Sequence, residues 1–238
     1  MLRVLVTRPE PGASRTVRRL SETGFQPILL PLTETVSLPV DAGLVPDEAS
    51  AVAVTSANAP RHASKDLMAV LSRLPCHAVG KKTAAAARQA GFVSVGEGPG
   101  DAEALAEAIA PASSGKSIVY LCGRVRFPVF EQRLTAAGVH VHAVETYDTL
   151  AMSYSDEAIV ALLSARPVDA VLLYSAKAGA AMRILVARPS LREYFESTRF
   201  FALSARIGAA LDDAVGARIR FPAQPEEDAL LALLQDWR

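Results

Sequence analysis

The chain has little with which to build a disulfide scaffold, a membrane span or a charged nucleic-acid surface. It carries 2 cysteines in 238 residues, Cys76 and Cys122, each inside an apolar, strand-like run. So few cysteines exclude a disulfide framework and point to buried free thiols in a reducing compartment. Acidic and basic side chains balance at 25 each, so the formal net charge is +0 and the whole molecule has no field for drawing in nucleic acid. No apolar run approaches the roughly 20 residues of a membrane span. The first residues, Met1-Leu-Arg-Val-Leu-Val-Thr-Arg-Pro9, lack the long apolar stretch of a signal peptide. The expectation is a soluble cytoplasmic protein with no nucleic-acid and no membrane partner.

Motifs for most cofactor and covalent chemistry are missing as well. Histidine is scarce, with 4 in the chain. His140 and His142 share one strand face without a third ligand near in sequence, and His62 and His77 are isolated, so no metal is expected. Ser113-Ser-Gly-Lys-Ser117 resembles the end of a phosphate loop, but Ala110 stands where the first glycine is needed and the segment precedes a strand. Gly96-Glu-Gly-Pro-Gly100 has the wrong spacing for a dinucleotide fingerprint. There is no Gly-x-Ser-x-Gly elbow and no cysteine with a matching histidine signature, which removes the usual nucleophiles. Trp237 is the single tryptophan, expected to anchor packing. No cofactor is expected.

What is present is repetition. Ala51-Val-Ala-Val-Thr-Ser-Ala-Asn58, Cys76-His-Ala-Val-Gly-Lys-Lys-Thr-Ala84, Gly91-Phe-Val-Ser-Val95 and Asp101-Ala-Glu-Ala-Leu-Ala106 form one series. Ala170-Val-Leu-Leu-Tyr-Ser-Ala-Lys177, Phe201-Ala-Leu-Ser-Ala-Arg-Ile-Gly-Ala209, Gly216-Ala-Arg-Ile-Arg220 and Glu226-Glu-Asp-Ala-Leu-Leu231 form a second. The two series lie about 120 residues apart at every element, which implies two similar domains and a ligand cleft where they face each other. A shorter phrase also recurs: a strand, an amphipathic helix, a glycine, then another strand. It covers Arg3 to Pro31 with Gly24 at the turn, and Ser117 to Val144 with Gly138 at the turn.

Short apolar strands alternating with helices predict parallel sheets of βαβ units. With linkers at Thr33–Ala49 and Thr146–Asp156, two partitions remain open. One cuts the chain in sequence, at 1–110 and 116–238. The other pairs 1–33 with 150–238 and leaves 38–146 as an insert.

In open parallel sheets, ligands bind beyond the carboxyl ends of the strands. The turns there read Thr7-Arg8-Pro9, Thr55-Ser56-Ala57-Asn58, Gly80-Lys81-Lys82-Thr83, Gly123-Arg124-Val125-Arg126, Ser175-Ala176-Lys177 and Ser204-Ala205-Arg206. Small or hydroxyl residues let a backbone approach a ligand and leave helix-start N–H groups free for anions, and a base stands near almost every turn. One such turn alone is an ordinary N-cap with surface charge; the recurrence predicts a site for a ligand with many carboxylates or phosphates. Tyr147, in Val144-Glu-Thr-Tyr-Asp-Thr149, falls where strand meets linker. A phenol there either packs in the junction or donates a proton to the ligand.

Val4-Leu-Val-Thr-Arg-Pro9, Gly24 before a strand ending in Pro31, Val54-Thr-Ser-Ala-Asn58, Val79-Gly-Lys-Lys-Thr-Ala84, Tyr120-Leu-Cys-Gly-Arg124, Glu145-Thr-Tyr-Asp-Thr149 and Leu173-Tyr-Ser-Ala176 together resemble the uroporphyrinogen-III synthase family. The resemblance implies an α/β protein of two flavodoxin-like parallel-sheet domains on a two-segment linker, with 1–33 plus 150–238 as one domain and 38–146 inserted. It implies a cofactor-free lyase acting as a monomer on hydroxymethylbilane, a linear tetrapyrrole with eight carboxylates. Such an enzyme removes the terminal hydroxyl, inverts ring D through a spiro intermediate and closes the macrocycle. Tyr147 matches the tyrosine favoured as the acid. Arg8, Thr55, Ser56, Ala57, Gly80, Lys82, Thr83, Gly123, Arg124, Ser175, Ala176 and Ser204 match its substrate-binding turns, though Ser204-Ala-Arg-Ile-Gly208 stands where the family often has Gly-x-x-Thr-Ala. A two-domain binding or sensor module for an anionic small molecule, and a nucleotide-dependent transferase, are the alternatives from other classes.

Overall fold

The computed structural model describes residues 1–211 and 215–237. Residue contacts divide the chain into two compact units, Met1–Glu34 with Leu150–Arg238, and Thr35–Thr149. Each is a mixed α/β unit, as expected. The first holds β1 (Arg3–Val6), β2 (Gln26–Leu29), β9 (Ala170–Leu173), β10 (Arg199–Ala202) and β11 (Ile219–Arg220) in the order β11-β10-β9-β1-β2. All four pairings in this sheet are parallel. The second sheet is built from β3 (Thr33–Ser37), β4 (Ala49–Val54), β5 (Cys76–Ala78), β6 (Val95–Glu97), β7 (Ser117–Gly123) and β8 (His140–Ala151), in the order β3-β8-β7-β4-β5-β6. From β8 to β6 its pairings are parallel.

Central strands here are apolar without alternation because both of their faces are covered. Leu5, Val171 and Leu173 enter one core cluster, while Val4, Val6, Ala170 and Leu172 from the same strands enter another on the opposite face. In the second sheet Val52, Val54, Val119 and Leu121 point to one side, and Ala51, Ala53, Ile118 and Tyr120 to the other. The helices obey local rules. Ser64, Asp101, Ser155 and Ser175 cap helix starts by accepting from the backbone N–H three residues on. Gly24 (φ +80) and Gly138 (φ +78) follow helix ends in the left-handed region, so the glycine of the repeated phrase answers a backbone need.

Cys76 and Cys122 are buried and free, as predicted, and burial pushes each thiol up to about 12. Trp237 packs 5.8 Å from the Phe201 ring, with the Arg199 guanidinium 5.0 Å over its face. The predicted linkers carry more structure than their composition suggested. The first begins as β3, and the second is the end of β8, which continues to Ala151. Tyr147 therefore sits inside a strand and not at its end. Val144, Thr146 and Asp148 keep one face of that strand buried, and the Thr146 hydroxyl donates to the Ala59 carbonyl at 2.8 Å.

Arg3, at the start of β1, is 7% exposed. Its Nη1 donates to the carbonyls of Arg166 and Pro167 at 2.6 Å each, and its Nη2 to Leu163 at 2.7 Å. These acceptors belong to the turn after helix Asp156–Leu162, where Ser164 and Ala165 hold positive φ. No helix among the described residues is long and apolar enough to cross a membrane.

Candidate active site

In the unit of residues 35–149, the turn after β4 and the strand β8 meet at a phenol. Tyr147 Oη donates to Ser56 Oγ at 3.1 Å, and Ser56 Oγ also accepts the Asn58 N–H at 3.2 Å. Burial raises the Tyr147 phenol above its ordinary value, against the opposing pull of the Ser56 hydrogen bond. At neutral pH it is a protonated donor. His62, at the end of helix Asn58–His62, packs on the same ring, with ring centroids 5.9 Å apart and planes tilted by 34°. His62 Nδ1 lies 2.9 Å from Ser37 Oγ. Burial, then the charge of Arg61, lowers the His62 pKa, which favours a neutral ring.

Gly123 ends β7 directly opposite Tyr147, at a register shift that leaves Thr146 as the extra residue. The Arg124 N–H donates to the Tyr147 carbonyl at 2.9 Å. The Arg124 guanidinium is 56% exposed and reaches Glu145 at 3.4 Å and Asp148 at 3.6 Å. The Arg124–Glu145 pair is exposed on both sides and is worth about 0–1 kcal/mol, whereas Asp148 is a buried partner. Arg126 is held more firmly, by Glu131 at 3.0 Å and Glu145 at 2.9 Å.

The neighbouring turn, after β5, joins the same edge through the Val79 N–H, which donates to the Val54 carbonyl at 2.9 Å. Gly80 is the N-cap of helix Lys81–Ala90 and brings no side chain to the capping position. Lys81 and Lys82 are exposed and have no ion-pair partner among the described residues. Thr83 is buried, so only its backbone can face a ligand. Thr55 is engaged, its Oγ1 2.7 Å from the hydroxyl of Tyr120, whose own pKa burial pushes up to about 12. Ala57 is the half-buried N-cap of helix Asn58–His62.

The unit of residues 1–34 and 150–238 gathers its three turns at the ends of neighbouring strands β1, β9 and β10. Ser175 Oγ accepts the Ala178 N–H at 3.2 Å, which leaves Ala176 in the first helical turn. Ser204 is extended and caps through its carbonyl, accepting from Ile207 at 3.0 Å and Gly208 at 3.1 Å. Arg8 differs from a free anion-binding base. Its guanidinium lies 4.2 Å over the Tyr174 ring and pairs with Glu227 Oε1 at 3.0 Å. Thr16 Oγ1 and Tyr174 Oη donate to the same oxygen at 2.5 and 3.2 Å, and Arg19 approaches the other at 3.7 Å. Composition offered no signal for Thr16, Tyr174 or Glu227 as a set, because they come together only across the fold. The same is true of His62 and Tyr120 in the other unit.

Burial works against the Glu227 charge, but Thr16, Arg8 and Tyr174 outweigh it and hold the carboxyl below its ordinary value. A carboxyl whose pKa is lowered on folding adds stability above its unfolded pKa, and loses it as pH falls through the folded one. Glu227→Gln should therefore melt below the wild type at neutral pH, and the gap should close as pH drops beneath the usual carboxylate range. A gap that stayed constant with pH would mean that the charge contributes nothing.

The two parallel-dominated sheets define an α/β protein, with a phenol hydrogen-bonded to a turn serine in the unit of residues 35–149. The chain belongs to the uroporphyrinogen-III synthase family: the family model described as uroporphyrinogen-III synthase HemD matches residues 14–232. Members are cyclising lyases of haem biosynthesis, and the chain is one of them. Solved structures agree on the fold. The uroporphyrinogen-III synthetase of Helicobacter pylori 26695 is 19% identical, with 100% of each chain covered and a TM-score of 0.70. A substituted uroporphyrinogen III synthase of the extreme thermophile Thermus thermophilus is 19% identical, over 100% of this chain and 97% of that one, with a TM-score of 0.58. A search of curated proteins finds no match.

Proposed function

We propose that this chain closes hydroxymethylbilane to uroporphyrinogen III with Tyr147 as the acid. The observation that carries the assignment is the Tyr147 phenol, which donates to Ser56 Oγ at 3.1 Å and keeps its proton at neutral pH. In the ground state Ser56 accepts that proton's hydrogen bond; with substrate bound, the terminal hydroxyl takes its place. As the C–O bond breaks, its electron pair leaves with oxygen and the phenol proton converts the departing group to water. The substrate is left as a cationic methylene-pyrrole. Attack by the substituted carbon of ring D gives the spiro intermediate, and rearrangement places that ring in its inverted orientation. The proton lost when the last ring regains aromaticity restores the phenol. One positioned acid is worth roughly 10²–10⁴-fold.

The rest is positional, because unassisted closure yields the isomer without inversion. Lys82 and Arg124 supply exchangeable positive charge, while Ser56, Ala57, Gly80 and Thr83 supply backbone that a carboxylate can approach. Ser175, Ala176 and Ser204 do the same in the other unit, and Arg8 acts from within its pairing with Glu227. The discontinuous unit and the inserted one are proposed as separate domains, in a cytoplasmic monomer that needs neither nucleic acid nor cofactor.

The test is direct. Chelator-treated protein is incubated with hydroxymethylbilane, and the type I and type III products are separated. Type III product without added metal or nucleotide is the expected result; type I alone would overturn the assignment.

A further inference from the structure

We propose that Gly123 is a positioning residue for the reaction, acting as the bare surface against which the Tyr147 ring is seated. This deepens the reading above and rests on Tyr147 as the acid. The sequence gives Gly123 a different task, that of letting the backbone approach a ligand. The geometry points instead to a side chain of the protein itself. A Cβ built on Gly123 would lie 2.6 Å from Tyr147 Cζ, 2.9 Å from Cε2 and 2.9 Å from Oη. Carbon atoms in contact rest at roughly 3.5–4 Å, so one added methyl cannot share this space with the ring. The φ of Gly123 is not among the positive ones, so the demand for glycine is steric and not conformational.

The backbone on both sides is pinned, which forces the ring to yield. Gly123 pairs with Tyr147 in the sheet, and Arg124 N–H donates to the Tyr147 carbonyl at 2.9 Å. Arg126 Nη1 donates to the Gly123 carbonyl at 3.2 Å while its guanidinium is clamped by Glu131 and Glu145. The His62 ring, its centroid 5.9 Å from that of Tyr147 and its Nδ1 2.9 Å from Ser37 Oγ, also packs against Tyr147. The hydroxyl is the ring atom group closest to the missing methyl together with Cζ and Cε2, so displacement acts first on the 3.1 Å contact with Ser56. A misplacement of about 1 Å at a reacting group can cost on the order of 10²-fold in rate.

The experiment is a pair of double-variant cycles on the full chain. Gly123→Ala should lower kcat by at least roughly 10-fold with little change in KM. In a Tyr147→Phe background the same substitution should lower kcat no further, because the proton it misplaces is already gone. Melting temperature gives a second reading that does not depend on catalysis. Gly123→Ala should melt a few degrees below the wild type, as overpacking does. In a Tyr147→Ala background, where the ring no longer fills the space, that deficit should vanish. If Gly123→Ala slows Tyr147→Phe as much as it slows the wild type, the glycine serves the ligand and the proposal fails. If Tyr147→Phe keeps full turnover, the acid assignment fails by itself. The melting cycle then still decides the seat: a deficit that persists without the ring overturns it, and one that disappears upholds it.

Discussion

Tyr147→Phe should lower turnover by roughly 10- to 1000-fold, within or just below the usual contribution of a positioned general acid. The substitution keeps the ring's packing against Gly123 and His62 and removes one proton. Its structural cost is the hydrogen bond to Ser56, about 1 kcal/mol net, and Ser56 Oγ still accepts the Asn58 N–H at 3.2 Å. Substrate affinity should stay close to the wild-type value, since the bases and backbone groups at the turns are untouched. Single-turnover kinetics on hydroxymethylbilane would separate binding from the chemical step. Normal turnover would mean that the cation forms without a protein acid and that the reaction rests on positioning alone. A lower melting temperature with normal turnover in the folded fraction would make Tyr147 a packing residue of β8.

The largest loss of stability away from the site is expected at Arg3. Arg3→Met should destabilise its unit by about 3 kcal/mol, the low end of the range for removing one member of a buried polar arrangement. The methionine fills much of the same volume, so the cost falls on the carbonyls of Leu163, Arg166 and Pro167, which lose their donor. Arg3 Nε is buried without a partner, and its removal offsets part of that cost. Arg3→Lys should recover little, because one ammonium cannot reproduce the fork that spans acceptors on both sides of the Ser164–Ala165 turn. Urea denaturation would read the difference as a shift in midpoint. Equal midpoints for wild type and Arg3→Met would show that water satisfies those carbonyls.

The two predictions differ in how visible their residues are in the chain. Tyr147 stands out locally, in a polar phrase directly after a run of strand residues. Arg3 does not. It reads as a surface base beside a short strand, and only the fold brings it against a turn more than 160 positions later. The same division holds across the site. Ser175 and Gly80 cap helices because of their immediate neighbours, so their places follow from short-range rules. Arg8 carries the local signal of an anion-binding turn, yet its guanidinium is taken by Glu227, a partner 219 positions away. Gly123 has a motif to mark it but no local reason to seat a tyrosine.

The α/β class, the alternation of strand and helix, the position of each turn at a strand's carboxyl end and the family are all legible in the chain alone. These depend on periodicity, on capping residues and on glycines in the left-handed region, all of which act over a few residues. Two partitions of the chain fit that periodicity equally well, because a repeated unit says nothing about which copies pack together. Tertiary contacts set Met1–Glu34 with Leu150–Arg238 and kept Thr35–Thr149 apart. They also carried β8 through Tyr147 to Ala151, where polar composition alone had suggested a linker. The buried Thr146 and Asp148 look like loop residues until a neighbouring strand and the Ala59 carbonyl supply their partners. Burial and hydrogen bonding of polar side chains are settled by whatever lies across the sheet, and no window along the chain contains that information.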